Sequence, residues 1–241
     1  FFIVTGFKKK GAMLMVALNI FFVIPALFFI IKTGFNPVGG GIIISGIGIL
    51  ISVAVILGGG RKLYSALSGA LIGSTSAGIV TLVFMDYMKI EGRFAPGARM
   101  LQTASRYLPG WNIHDLKGVV AAGIMIASLG AVIDIAVSMV SAINEVYREN
   151  PRAANTAYLF KAGLNVGRDM VATMLNSLVL VFTGLALPML MIFGIMEIPL
   201  LKAVNFEFIL ITILSAAVSS ISLMITVPVT ACISSRLLPH E

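Results

Sequence analysis

VVAAGIMIASLGAVIDIAVSMVSAI, residues 119–143, decides the fold. As a helix it is long enough to cross a hydrocarbon core of about 30 Å. Near its middle stands one carboxylate, Asp134. A charge at that depth costs roughly 3 kcal/mol on insertion scales, so an ionisable residue there implies a function or a partner inside the bilayer. The composition around this stretch agrees. Of 241 residues, 59% are hydrophobic and 11% are charged, and the mean hydropathy is +1.04. These values predict an all-α, polytopic integral membrane helical bundle. Six apolar runs of spanning length fall at 12–31, 41–58, 63–85, 118–145, 169–195 and 209–235 within a single transmembrane domain. None alternates as a strand would, and a lipid-exposed backbone must satisfy its own hydrogen bonds. The chain opens on Phe1, Phe2, Ile3 and Val4 without an initiator Met, as if inside an earlier apolar segment.

The formal charge of +7 is distributed against a nucleic-acid partner. Lys8, Lys9 and Lys10 precede the first span, and Arg61 and Lys62 fill the second turn. Arg148, Arg152, Lys161 and Arg168 surround the link after the fourth span, and Arg236 follows the last. Only Lys32 and Lys202 lie in the two short opposite loops. By the positive-inside rule both termini are expected to be cytoplasmic. The long third loop opposes this with Lys89, Arg93, Arg99, Arg106 and Lys117. Within it Met100, Leu101, Tyr107, Leu108 and Trp111 recur at roughly helical spacing among basic residues, which predicts an interfacial helix over 93–111. A solvated loop is the alternative.

Polar residues fall at helical spacing on the last three spans. Gly130, Asp134, Ser138, Ser141 and Glu145 share a face of the fourth, and Asp169, Thr173, Asn176, Thr183 and Gly184 line the fifth. Thr212, Ser215, Ser219, Ser222, Thr226 and Thr230 form a hydroxyl stripe on the sixth. The expectation is that these three faces meet in a hydrated or ion-conducting seam around Asp134. Pro188 and Pro228 would break the last two helices and free carbonyls to line it. The plainer reading of the stripe is packing, because buried Ser and Thr can bond the carbonyl one turn back. Arg168 and Asp169, read as the start of the fifth span, are either a gate or a salt-bridge partner of Glu145, or a helix terminus complementing its dipole. In the first half, Gly39, Gly40, Gly41, Ser45, Gly46 and Gly48, with Ser65, Ser68, Gly69, Gly73 and Ser76, read as packing surfaces; Gly69 and Gly73 form a G-x-x-x-G.

No enzymatic constellation is present, and an enzyme is not expected. His114 and His240 are the only histidines, which excludes an H-E-x-x-H zinc helix. Neither a G-x-S-x-G elbow nor a phosphate-cradling G-x-x-x-x-G-K-[ST] occurs. An intramembrane aspartyl protease needs two deep carboxylates, and only Asp134 is deep. With Cys232 as the sole cysteine, no disulfide within the chain, no metal site and no cofactor are expected.

The runs GAVIDIAVSMVSAINEVYRENPR (130–152) and LFKAGLNVGRDMVATMLNSLVLVFTGLALPMLM (159–191) resemble the bacterial YibE/F-like membrane proteins. FKKKG (7–11), GGGRKLYSALSGALIG (58–73) and SSISLMITVPVTA (219–231) are similar to family segments in the same order. The resemblance implies a multi-pass protein of the bacterial cytoplasmic (inner) membrane, in contact with membrane lipid, of the shorter family type or a fragment of the longer. It also implies a homo-oligomer, or a heteromer with a related subunit bearing an extracytoplasmic domain. More distantly, residues 114–139, 143–150 and 167–181 resemble SecD/SecF and the RND transmembrane halves, whose fourth helix carries a carboxylate midway. On that likeness the chain is an RND/SecF-like half. Asp134 would be the proton- or sodium-coupling group, with Ser138 beside it and Thr173 and Asn176 across from it.

These readings converge on a membrane transport or export subunit that couples ion passage at Asp134 to work done with a partner. Ser215, Ser219, Ser222 and Thr226 would complete its polar seam. The alternatives are a non-transporting scaffold in which Asp134 is a structural hydrogen-bonding group, and a passive ion channel.

Overall fold

The structure is a computed structural model that describes residues 21–22, 25–26, 36–95, 97–107, 115–149, 151 and 155–240. Five of its helices are long and apolar enough to cross a membrane: α1 (Pro37–Leu57), α2 (Arg61–Tyr87), α4 (Leu116–Glu149), α5 (Thr156–Ile195) and α7 (Glu207–Leu237). Two short helices, α3 (Ala98–Tyr107) and α6 (Leu200–Val204), lie between them. Among the described residues there is no strand, so the chain is an all-α polytopic bundle. The expected span at 12–31 falls almost wholly outside the described residues.

Local chemistry sets the helix ends. Asn36 accepts from Val38 N at 3.0 Å, with Pro37 at the first helical position of α1. Asp115 accepts from Gly118 N at 2.7 Å at the start of α4, and Asn155 from Tyr158 N at 2.8 Å at the start of α5. That last cap corrects the expected boundary. α5 begins at Thr156 rather than 169, so Arg168 and Asp169 lie inside the helix and Asp169 does not complement its N-terminus. α2 and α5 end on Lys89 and Glu197 at positive φ. Ile90 N and Ile198 N then reach back to Met85 O and Phe193 O, a Schellman closure without glycine. The helix expected over 93–111 starts later, at Ala98. Gly92 and Gly97 adopt φ of 79° and 77°, which hold residues before Ala98 in a loop, while Leu108 and Trp111 lie outside the described residues. Pro188 and Pro228 do not end their helices. α5 and α7 run through them, and only the donors to Gly184 O and Met224 O are lost.

Close approaches fix the register. A Cβ on Gly41 would stand 2.9 Å from Ala122 Cβ, and one on Gly78 would stand 2.8 Å from Met125 Cε. Gly73 meets Val132 and Thr226, and Gly69 meets Thr230. Gly163 meets Ile143 and Ala231, and Gly167 meets Met139 and Val227. Hence α1, α4 and α7 run one way and α2 and α5 the other. The turn at Gly58–Gly60, the link after α4 and the end of α7 share one face of the membrane domain. The loops at 88–97 and 196–206 share the other. There Glu207 accepts from Gly92 N and, at 3.0 Å, from Phe94 N, while Phe206 stacks between Phe94 and Phe193. Lys117 pairs with Asp86, tying α4 to α2.

α4 and α7 are the inner helices. α4 packs against α1, α2, α5 and α7, and α7 against α2, α4 and α5. One apolar cluster joins Ile49, Val53, Ala66 and Ala70 to Leu129, Val132, Ala136 and Val140. Another joins Ile135, Met139 and Ile143 to Leu159, Leu223, Val227 and Ala231. Lipid is as apolar as these side chains, so packing density and close backbone approach, rather than removal from water, hold the helices together.

Candidate functional site

Asp134 lies two residues beyond the midpoint of α4, and the helix's length of roughly 50 Å leaves it well inside a 30 Å core. Its neighbours along the chain are all core: Val132, Ile133, Ile135, Ala136 and Val137 are buried against α1, α2, α5 and α7. Asp134 itself is exposed. It accepts no hydrogen bond and makes no ion pair with any described residue. The same edge of the helix is exposed at Gly123, Ala127, Gly130, Ser141 and Glu145, and Ser138 is half-buried beside it. Ser141 bonds its own Val137 carbonyl at 2.9 Å. This is the polar face read from the sequence, and no described helix covers it.

The faces expected to meet Asp134 do not do so within one copy. α5 packs through Leu159, Gly163 and Gly167, whereas Thr173 and Asn176 lie on the opposite side of that helix and are exposed. Thr173 Oγ1 is turned back on Met170 O at 2.9 Å. The correction has a simple cause: the α5 glycines, not its polar residues, permit the close contact with Met139 and Ile143.

The hydroxyl stripe of α7 is buried, but against α2. Ser215, Ser219, Ser222, Thr226 and Thr230 are all under 9% exposed. Any side chain on Gly69 or Gly73 would collide with Thr230 Oγ1 or Thr226 Oγ1 respectively, so the G-x-x-x-G of α2 receives this stripe. Ser215 bonds Ile211 O at 2.7 Å, Ser222 bonds Val218 O at 2.8 Å and Thr226 bonds Ser222 O at 2.6 Å. Ser219 and Thr230 hydroxyls have no hydrogen-bond partner among the described residues. The stripe is therefore a packing seam, the plainer of the two readings.

Glu145, Arg168 and Asp169 are each exposed and none is ion-paired with a described residue, so the salt-bridge reading of Glu145 with Arg168 or Asp169 is not met. α4 continues one turn past Glu145, and α5 meets Ile143 through Gly163, which leaves Arg168 more than a turn away along the axis. No group of three or more His, Cys, Asp or Glu suited to a metal exists among the described residues.

Apolar recesses open between the described helices on the outside of the bundle. One of about 350 Å³ lies between α1 and α2 at Gly46, Ser74 and Gly78, and one of about 280 Å³ lies between α5 and α7 at Thr183, Ala186 and Thr212. Neither touches Asp134. The residues that sequence reasoning missed on the Asp134 face are Gly123 and Ala127. Their signal was available in the spacing of small residues, but only the burial pattern separates them from core-facing Ala121 and Ala122.

No curated protein and no solved structure matches the chain. The family model described as YibE/F-like protein matches residues 1–240, and the chain belongs to that family.

Proposed function

We propose that this protein is a subunit of a membrane transport or export system in which Asp134 carries the coupling ion, a proton or sodium, while α4 works against a second membrane unit. The observation that carries this reading is a mid-span carboxylate on a face that no described helix covers. Left against lipid, that group costs roughly 3 kcal/mol, which nothing among the described residues offsets. A scaffold role within the fold gains no support, since Asp134 hydrogen-bonds none of the described hydroxyls. A passive pore through one copy gains none either, because the α7 stripe is filled by α2. The basic residues Arg61, Lys62, Arg148 and Arg236 gather at one end of the bundle, so that end is assigned to the cytoplasm of a bacterial inner membrane.

The test is ion-driven flux. The chain, purified with whatever unit accompanies it, is reconstituted into liposomes holding a pH dye, and an imposed proton or sodium gradient is applied. Native protein should move protons, and correctly folded Asp134→Asn should not, because the amide keeps the shape and hydrogen bonds but cannot titrate. Equal flux in the two would remove Asp134 from the mechanism.

A further inference from the structure

We infer that the end of the α2–α7 seam at Arg61 is an anion site, one that takes an oxyanion of the phosphate class, carried by a lipid headgroup or free in solution. The site is separate from Asp134 and does not depend on the ion-coupling reading.

The register of the seam places the groups. Thr226 meets Gly73 and Thr230 meets Gly69, so four residues along α2 match four along α7 in the opposite direction. One turn further on, this register brings Ser65 level with Ser234, and Arg61 follows Ser65 on the same face of α2. Hydroxyls nearer the middle of the seam are satisfied, Ser222 by Val218 O and Thr226 by Ser222 O. At this end that pattern stops. Ser65 and Ser234 are fully buried, yet neither hydroxyl has a hydrogen-bond partner among the described residues, and the same holds for Thr230 Oγ1 and Arg61 Nη1. Among the described residues, four of the six buried polar side-chain atoms without a partner thus fall within three successive turns of one seam. Such atoms call for an explanation, and one shared acceptor accounts for all four.

The chemistry of the four atoms selects the occupant. A guanidinium only donates and always keeps its charge. Arg61 forms no ion pair with a described residue. The three hydroxyls can each donate too, so the group that satisfies all four accepts several bonds and carries negative charge. A phosphate, with its oxygens spread tetrahedrally, does this better than the two oxygens of a carboxylate. The helix supplies further donors. Gly60 caps α2 without a side chain, and Gly58 and Gly59 place none in front of it, which leaves the first amides of α2 to an outside acceptor at the positive end of the helix dipole. Depth agrees with a headgroup as one source. The 27 residues of α2 span about 40 Å, so a helix centred on a core of about 30 Å carries its first turn about 5 Å past the hydrocarbon. An oxyanion bound there would join the start of α2 to the end of α7 and stabilise the seam.

Ligand-linked stability tests the site. The full chain in neutral detergent is unfolded by heat with rising inorganic phosphate or rising short-chain phosphatidylglycerol. The controls are sodium chloride at equal ionic strength and short-chain phosphatidylcholine. At ten times its half-saturating concentration, either anion should raise the folded-to-unfolded ratio of the native chain about elevenfold. Arg61→Gln should abolish the response, and Ser65→Ala and Ser234→Ala should each weaken binding about tenfold. The two alanine variants should keep the native midpoint without anion, since neither hydroxyl bonds a described residue. A purely structural role would instead move that midpoint and spare the response. These two variants also carry the test if Arg61→Gln does not fold. Arg148→Gln, which removes an exposed charge at the same end, and Asp134→Asn should respond as the native chain does. A response to phosphate alone assigns a free oxyanion, a response to phosphatidylglycerol alone assigns a lipid headgroup, and a response to both assigns their shared chemistry; each supports the site. The inference is overturned if neither anion exceeds its control, if the alanine variants keep the native response, or if Arg148→Gln loses it.

Discussion

Gly73→Ala is the sharpest probe of how this bundle is held together. The new methyl would enter space occupied by Thr226 Oγ1 and would stand 3.0 Å from Val132 Cγ1. Thr226 is fully buried, and its hydroxyl is already committed to Ser222 O at 2.6 Å, so moving aside sacrifices that bond. Overpacking costs about 1–3 kcal/mol. A lost hydrogen bond adds about 1 kcal/mol, and alanine returns about 1 kcal/mol of helix propensity. The net expectation is a loss of about 2 kcal/mol. Unfolding by a denaturing detergent in mixed micelles, followed by far-ultraviolet circular dichroism, measures it. Gly73→Ala combined with Thr226→Ala should recover most of the loss because the obstructing hydroxyl and methyl are gone. In dilute micelles Gly130→Ala, whose Cβ meets nothing, should be neutral or slightly stabilising. A Gly73→Ala protein as stable as the native one, or a double variant no better than the single, would refute the α2–α7 seam.

Glu207→Ala should free the loop at 91–97, because two backbone donors, Gly92 N and Phe94 N, lose their acceptor at about 1–3 kcal/mol; faster amide exchange confined to that loop is the readout. Ser222→Ala and Ser219→Ala should leave both stability and ion flux within about 0.5 kcal/mol and error of native, since one hydroxyl is satisfied by its own helix and the other has no partner among the described residues. A clear loss of flux in either would return the stripe to the conduction path. Asn155→Ala should cost about 1 kcal/mol by uncapping α5, seen as fraying of residues 156–160 in hydrogen exchange.

Much of this architecture is legible in the residues. Apolar runs set four of the five long helices to within a few residues of their ends, and the exception, α5, was hidden by Lys161, Asn165, Arg168 and Asp169, which depress hydropathy without breaking a helix. The polar edge of α4 follows from spacing alone. What spacing cannot give is which way an edge points once several helices each carry a polar and a small-residue face. In a soluble protein burial of apolar surface would decide, but in lipid both faces compete on packing, and the glycines prevail. Thus Gly163 and Gly167 turn Thr173 and Asn176 outward, and Gly69 and Gly73 draw the α7 hydroxyls away from Asp134. The pairing of G-x-x-x-G with a hydroxyl stripe is visible only in three dimensions.

The most direct measurement is the protonation of Asp134 itself. Infrared difference spectra of the reconstituted protein, recorded as the ion gradient is imposed and released, report the carbonyl stretch of a protonated carboxyl. The account predicts a band that appears and disappears with the gradient in the native protein and is missing in Asp134→Asn. A native spectrum with no such band, or one that persists in Asp134→Asn, would contradict the assignment of Asp134 as the group that carries the ion.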